Sequence, residues 1–282
     1  MFGRGMAGLA VLLVTSAAAI AQTPVERGNY LVNSILTCGN CHTPKGPGGA
    51  PVTEKLHSGG VQTWDEPTYT VKGSNITPDK ETGIGAWNDA EIKKAMTDGV
   101  RPNGVPLAPI MPFAYYKIFT PGDLNAVVAY LKSVPAVRAE VQPPVYKGAM
   151  HHDVPPGVEK PMAESDLRDP VKRGFYLATI GHCMACHTPH PDGRHDFKTA
   201  LGKGGAEFRG PWGVSIARNI TSHPQKGIGS WSDDEIKRAI ARGVGRDGTP
   251  LKPPMGYAWY AKMTDADLSA IVAYLRTVPA LE

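Results

Sequence analysis

Cys38-Gly39-Asn40-Cys41-His42-Thr43-Pro44 and Cys183-Met184-Ala185-Cys186-His187-Thr188-Pro189 contain all four cysteines of this 282-residue chain. Two Cys-x-x-Cys-His runs with the same Thr-Pro tail, one in each half, point to an internal duplication. Outward from the motifs the likeness continues. Arg27-Gly28-Asn29-Tyr30-Leu31 returns as Arg173-Gly174-Phe175-Tyr176-Leu177. Asn75-Ile76-Thr77 returns as Asn219-Ile220-Thr221, and Gly83-Ile84-Gly85-Ala86-Trp87 as Gly227-Ile228-Gly229-Ser230-Trp231, both at a spacing of 144. The same spacing separates Met111 from Met255 and Tyr130-Leu131 from Tyr274-Leu275, so the later parts of the two units align without a gap. Two homologous domains follow.

The motif itself carries chemistry. Two thiols about one helical turn apart can each add to a vinyl group of one porphyrin, and a histidine directly after the second thiol is then held under the iron. A dithiol switch or half of a zinc site also uses Cys-x-x-Cys. Neither explains why the histidine follows both times in a chain with no other cysteine. The expectation is two covalently bound haem c groups, on Cys38 and Cys41 and on Cys183 and Cys186, with His42 and His187 as proximal ligands. A large apolar ring also gives a loop-rich chain, with 32 Gly and 26 Pro, a core to wrap.

The sixth ligand is sought among residues that recur. Of the methionines beyond residue 21, only Met111 and Met255 pair between the units; Met96 faces Ile240 and Met263 faces Phe119. Both lie in Pro-rich segments, Pro109-Ile110-Met111-Pro112 and Pro253-Pro254-Met255-Gly256, where a stiff loop can press a thioether onto a haem face. Core packing is the plainer role for any methionine. Ligation is expected for this pair, and a soft sulfur raises the potential. His57, His182, His190, His195 and His223 have no histidine counterpart, which favours surface or haem-edge positions over ligation. Trp87 and Trp231 line a pocket or simply pack, and Asn75 and Asn219 either bond a propionate or shape a turn.

Leu124, Val127, Val128 and Leu131 stand at i, i+3, i+4 and i+7, one face of a helix that Thr120 can cap and Pro121 can start. Leu268, Ile271, Val272 and Leu275 repeat this behind Thr264. Asn88 with Glu91, and Ser232 with Glu235, sit at capping-box separation and start a middle helix in each unit. Further helices are expected around 26–35 and 171–180, ahead of each motif. No convincing set of alternating strands is present, so the class read here is all-α, two mainly helical domains. Their expected limits are 22–140 and 169–282, joined by a Pro-rich linker over 141–168 with an adjacent solvated pair, His151 and His152.

Residues 1–21 read as a signal peptide: Arg4, an apolar run from Leu9 to Val14, and Ala19-Ile20-Ala21 before the cut. The run from Ala7 to Ala21 is shorter than the roughly 20 residues that span a bilayer. A soluble, exported protein without a transmembrane segment in the mature chain is expected, in the periplasm of a bacterium with two membranes. The formal charge of +4 loses Arg4 with the leader, and four propionates would take it to about −1. Nothing here supports nucleic acid.

On these residues the chain resembles the diheme c-type cytochromes. The Asn75-Ile76-Thr77-Pro78 and Gly83-Ile84-Gly85-Ala86-Trp87 stretches and their repeats look like the cytochrome subunits of bacterial membrane-associated dehydrogenases for alcohols, aldehydes, sugar acids or N-heterocycles. The resemblance implies a class I cytochrome c fold in each of two tandem domains, each around one haem, with distal Met111 and Met255. It also implies a dehydrogenase as electron donor and a soluble or membrane-bound cytochrome, an oxidase or a quinone as acceptor, with the haem iron held by His42, Met111, His187 and Met255. The three-haem alcohol dehydrogenase subunits carry a C-terminal membrane-binding helix, whereas this sequence ends just after its last helix at Glu282; a relay to another cytochrome or an oxidase is therefore favoured over quinone reduction. An electron-transfer protein, with no catalytic residues of its own, is the first expectation. The alternative is a diheme peroxidase-type enzyme, which needs one open iron; matched Met loops in both halves speak against it.

Overall fold

The computed structural model describes residues 22–282 apart from 61 and 192, so the expected signal peptide lies outside the described residues. Each half begins with a helix whose start is written locally. α1 (Pro24–Asn33) has Thr23 and Glu26 in a reciprocal capping box, and Pro24 in its first turn. α5 (Pro170–Ile180) is capped by Asp169, which accepts from the Val171 and Lys172 N–H groups. The attachment motifs form one short helix each, α2 (Cys38–His42) and α6 (Cys183–His187). Both middle helices carry the expected capping boxes: α3 (Asp89–Asp98) from Asn88 and Glu91, α7 (Asp233–Arg242) from Ser232 and Glu235. A 3-10 segment, Phe113–Ile118, precedes α4 (Pro121–Ser133), and the short α8 (Tyr257–Tyr260) precedes α9 (Asp265–Leu275). Thr120 and Thr264 cap the two last helices, as their sequences predict.

Within each half the first and last helices cross at a glycine. A Cβ on Gly28 would stand 2.0 Å from the Ala126 carbonyl oxygen, and one on Gly174 1.8 Å from that of Ala270. Only hydrogen fits between these backbones. The crossing buries Leu31, Val32, Val127, Val128 and Leu131 in one half and Leu177, Ile180, Leu268, Ile271, Val272 and Leu275 in the other. At roughly 1.5–3 kcal/mol for each fully buried aliphatic side chain, these crossings are major stabilising contacts.

Two antiparallel hairpins accompany the helices. β1 (Thr63–Glu66) pairs with β2 (Tyr69–Lys72), and β4 (Glu207–Gly210) with β5 (Gly213–Ile216). β1, β4 and β5 are mostly exposed, so no inward face imposes alternation on them; β2 does alternate, burying Tyr69 and Val71, but over four residues only, too short a stretch to stand out in the sequence pattern. The segment between the halves is extended but anchored. β3 (Val145–Tyr146) joins the first hairpin, Val158 is fully buried, the Met162 N–H donates to the Ile118 carbonyl at 3.0 Å, and the Gly122 N–H donates to Glu164 at 2.9 Å.

The halves are held to each other by a duplicated contact. Asp123, at the start of α4, takes Arg27 of its own half at 2.7 and 2.8 Å and the hydroxyl of Tyr176 from the other at 2.8 Å. Asp267, at the start of α9, takes Arg173 of its own half at 2.6 Å and the hydroxyl of Tyr30 from the first at 2.5 Å. Both carboxylates are buried. Burial pushes the Tyr176 phenol well above its ordinary range, and the Asp123 carboxylate adds to the rise.

Candidate functional site

The chain leaves α1 through a turn over Ser34 and enters α2 from Thr37, held in the left-handed region at φ 49°. The matching residue, His182, has φ 44°. A non-glycine residue there costs about 1 kcal/mol or more. Different residues pay it at the same place in both halves, so the site geometry requires this corner.

From that corner the motif residues rise on one helical turn, with the thiols at i and i+3 on a common face. Burial, with Cys41 alongside, pushes the Cys38 thiol up to about 12. Burial raises Cys41 as well, takes Cys183 to about 12 with Cys186 alongside, and takes Cys186 to about 11. These are neutral thiols. A dithiol switch needs a thiolate, and a zinc site needs further ligands; among the described residues no group of three or more His, Cys, Asp or Glu is placed to hold a metal ion.

Each motif histidine is oriented by backbone. His42 Nδ1–H donates to the Ser74 carbonyl at 2.7 Å, and His187 Nδ1–H to that of Arg218 at 2.7 Å. This fixes the tautomer that leaves Nε2 with its lone pair available to a metal. Burial lowers the proton affinity of both rings, which keeps that lone pair free. Met111 and Met255 lie half-buried against the core in the loops that follow α3 and α7. Two thiols on one face, with an imidazole tethered through Nδ1, form a donor set that fits a covalently held haem in each half.

Both units match the cytochrome c family, over residues 25–135 and 171–279. The chain belongs to the cytochrome c family. This cytochrome is 32% identical to the fructose dehydrogenase cytochrome subunit of Gluconobacter japonicus across 91% of its own length and 53% of that protein. It is 30% identical to the cytochrome c subunit of the quinone alcohol dehydrogenase of Gluconacetobacter polyoxogenes, across 93% of its length and 58% of that subunit. Thus it spans little more than half of these relatives. A diheme cytochrome c-type protein of Cereibacter sphaeroides is 29% identical over 98% of both chains. The cytochrome is therefore a two-domain, diheme cytochrome c related to dehydrogenase cytochrome subunits, which implies a role in electron transfer, and its two cysteine pairs are consistent with two haem c groups.

Other residues singled out from sequence take definite positions. Asn75 and Asn219 shape turns: the side-chain oxygen of each accepts from the N–H two residues on, at Thr77 and Thr221, and the amide donates to Val137 or Leu281 at 2.8 and 2.7 Å. Trp87 and Trp231 pack partly buried against the core. His151 and His152 are exposed, His152 resting on Phe113. His195 stacks on Phe197 and its Nε2–H donates to the Ala185 carbonyl at 2.8 Å.

His57 departs from a surface position, one of the two expected for it. It is fully buried at φ 65°, both ring nitrogens lack a hydrogen-bond partner, and burial, with His42 nearby, pulls its imidazole down to about 4. Its backbone N–H donates to Thr43 as that of Gly202 does to Thr188, so a glycine stands at this position in the second half. Tyr115 and Trp259, which approach the opposite half's attachment site, were not found from sequence. Their spacing of 144 was the available signal, masked by the change of residue type.

Proposed function

We propose that this cytochrome is an exported electron relay that takes electrons from a dehydrogenase and passes them to a downstream cytochrome, oxidase or quinone. Residues 1–21 direct export to the periplasm and are removed; 22–140 and 169–282 hold one haem each, joined by 141–168. Cys38, Cys41, Cys183 and Cys186 form the thioethers, His42 and His187 are proximal ligands, and Met111 and Met255 are distal. The bound haem supplies a one-electron couple, and the protein supplies burial, attachment and axial ligands. His42 and His187 are kept in a single tautomer by Ser74 and Arg218, so neither ring needs to reorient when the electron arrives. The reading rests above all on the duplication of every member of the site, including the methionines. The dehydrogenase donor is supported by the names of the relatives.

The test is the far-red absorption band of Met sulfur on ferric haem, quantified per haem in the mature protein. Two equivalents are expected, one lost in Met111→Ala and the other in Met255→Ala. One equivalent or none would leave an iron open, and peroxide turnover would then be the activity to measure. Affinity isolation from native membranes tests the donor: a co-purifying dehydrogenase supports it, and recovery of the free monomer alone opposes it.

A further inference from the structure

The segment that follows Met255 does not stay in its own half. Gly256 comes so close to Thr37 that a Cβ built on it would stand 3.1 Å from the threonine methyl. Three residues on, the indole of Trp259 lies against Gly39, where a Cβ would meet ring carbons at 2.3 and 2.9 Å. Gly39 is buried and stands between the two thiols of the first attachment motif. The ammonium group of Lys262 sits 4.7 Å from the centre of the indole and holds it from outside. Trp259 therefore joins the loop carrying one methionine to the attachment turn of the opposite half.

The reciprocal contact has its volumes exchanged. Tyr115 stands where the second half has Trp259, and the buried Met184 where the first half has Gly39. Tyr115 also reaches across, edge-on to Phe197 of the second half at 6.5 Å. At the first crossing a large aromatic ring lies on a glycine of the attachment turn; at the second a smaller ring meets a turn that carries a methionine.

We propose that the two haems exchange electrons through the contact between Trp259 and Gly39, which makes Trp259 a positioning and linking residue for transfer inside the molecule. The proposal rests on the two-haem relay reading above. One iron loses the electron that the other gains, no bond is broken and no proton moves, so the contact needs packing and not an acid or base.

The experiment uses the mature protein with both haems attached. A pulse of reductant well below one equivalent is followed by optical recording of the redistribution between the haems in wild type, Trp259→Phe, Trp259→Leu and Gly39→Ala. Potentials, Met–iron bands and the iron–iron distance by electron paramagnetic resonance are measured alongside. Trp259→Leu is expected to slow redistribution, with Trp259→Phe between it and wild type, while both potentials and both Met bands stay in place. Gly39→Ala displaces the indole without changing it and is expected to slow the same phase; it also keeps the test available should Trp259→Leu fold poorly. Redistribution at the wild-type rate in Trp259→Leu and Gly39→Ala, with the iron–iron distance unchanged, would overturn the proposal. Failure of the relay reading looks different: the wild type itself would lack two Met bands or show no redistribution.

Discussion

His57 sits in a left-handed conformation that glycine adopts in the other half, and it buries two ring nitrogens without partners. Its folded-state pKa of about 4 lies below the ordinary value of 6.5. The unfolded chain therefore takes up a proton that the folded chain refuses as pH falls from about 6.5 towards 4, and stability drops across that window. The loss from this one group reaches about 2 kcal/mol near pH 5. In His57→Gly the difference in unfolding free energy between neutral pH and about pH 5 is expected to shrink by about 2 kcal/mol, measured by guanidinium unfolding of the haem-loaded protein. An undiminished difference would mean that other groups carry the acid sensitivity. Repetition did not identify His57, because its signal is the breaking of the repeat by an inserted side chain. The two cysteine–histidine motifs were legible because they recur; Met111 and Met255 recur as well, and their ligand role belongs to the proposal.

Helices were legible wherever their determinants are local. The Asn88 and Ser232 capping boxes lie within one turn, and the quartets beginning at Leu124 and Leu268 repeat at helical spacing. Asn88→Ala and Ser232→Ala are each expected to cost about 1 kcal/mol in thermal or denaturant unfolding, with similar losses because the boxes are built alike. The crossing of α1 with α4 is less forgiving. Gly28→Ala places a methyl group 2.0 Å from a backbone oxygen, so the helices must separate. A loss of about 3 kcal/mol is expected, at the upper end of ordinary overpacking, and Gly174→Ala should match it. A loss below that of the cap variants would show that the crossing yields easily. The hairpins were not legible, since β1, β4 and β5 are mostly exposed and the one alternation, Tyr69 and Val71 buried in β2, spans only four residues.

Across the whole molecule the halves depend on residues far apart in sequence, such as Tyr30 and Asp267, which no local pattern links. Tyr30→Phe removes two hydrogen bonds between the halves, the one donated to Asp267 and the one accepted from the Thr264 N–H, whereas Tyr176→Phe removes one; Asp267 and Asp123 each keep their own arginine. A cost of about 1 kcal/mol is expected for Tyr176→Phe and about 2 kcal/mol for Tyr30→Phe, and the double variant should separate the halves into two calorimetric transitions. Asp267→Ala strands both Arg173 and Tyr30 and should cost more, about 3 kcal/mol. A single unaltered transition in the double variant would assign the coupling to the apolar contacts instead. The crossed pairs have a further meaning. Tyr30 and Asp123, in the first half, are the complements of Asp267 and Tyr176 in the second, so the interface has the pattern of an isologous dimer of one-haem subunits. Joining such subunits in one chain keeps them at an effective concentration of about millimolar or above. The tether frees each copy from having to match itself, and Gly39 could remain small while its equivalent became Met184, giving a symmetric dimer a front and a back.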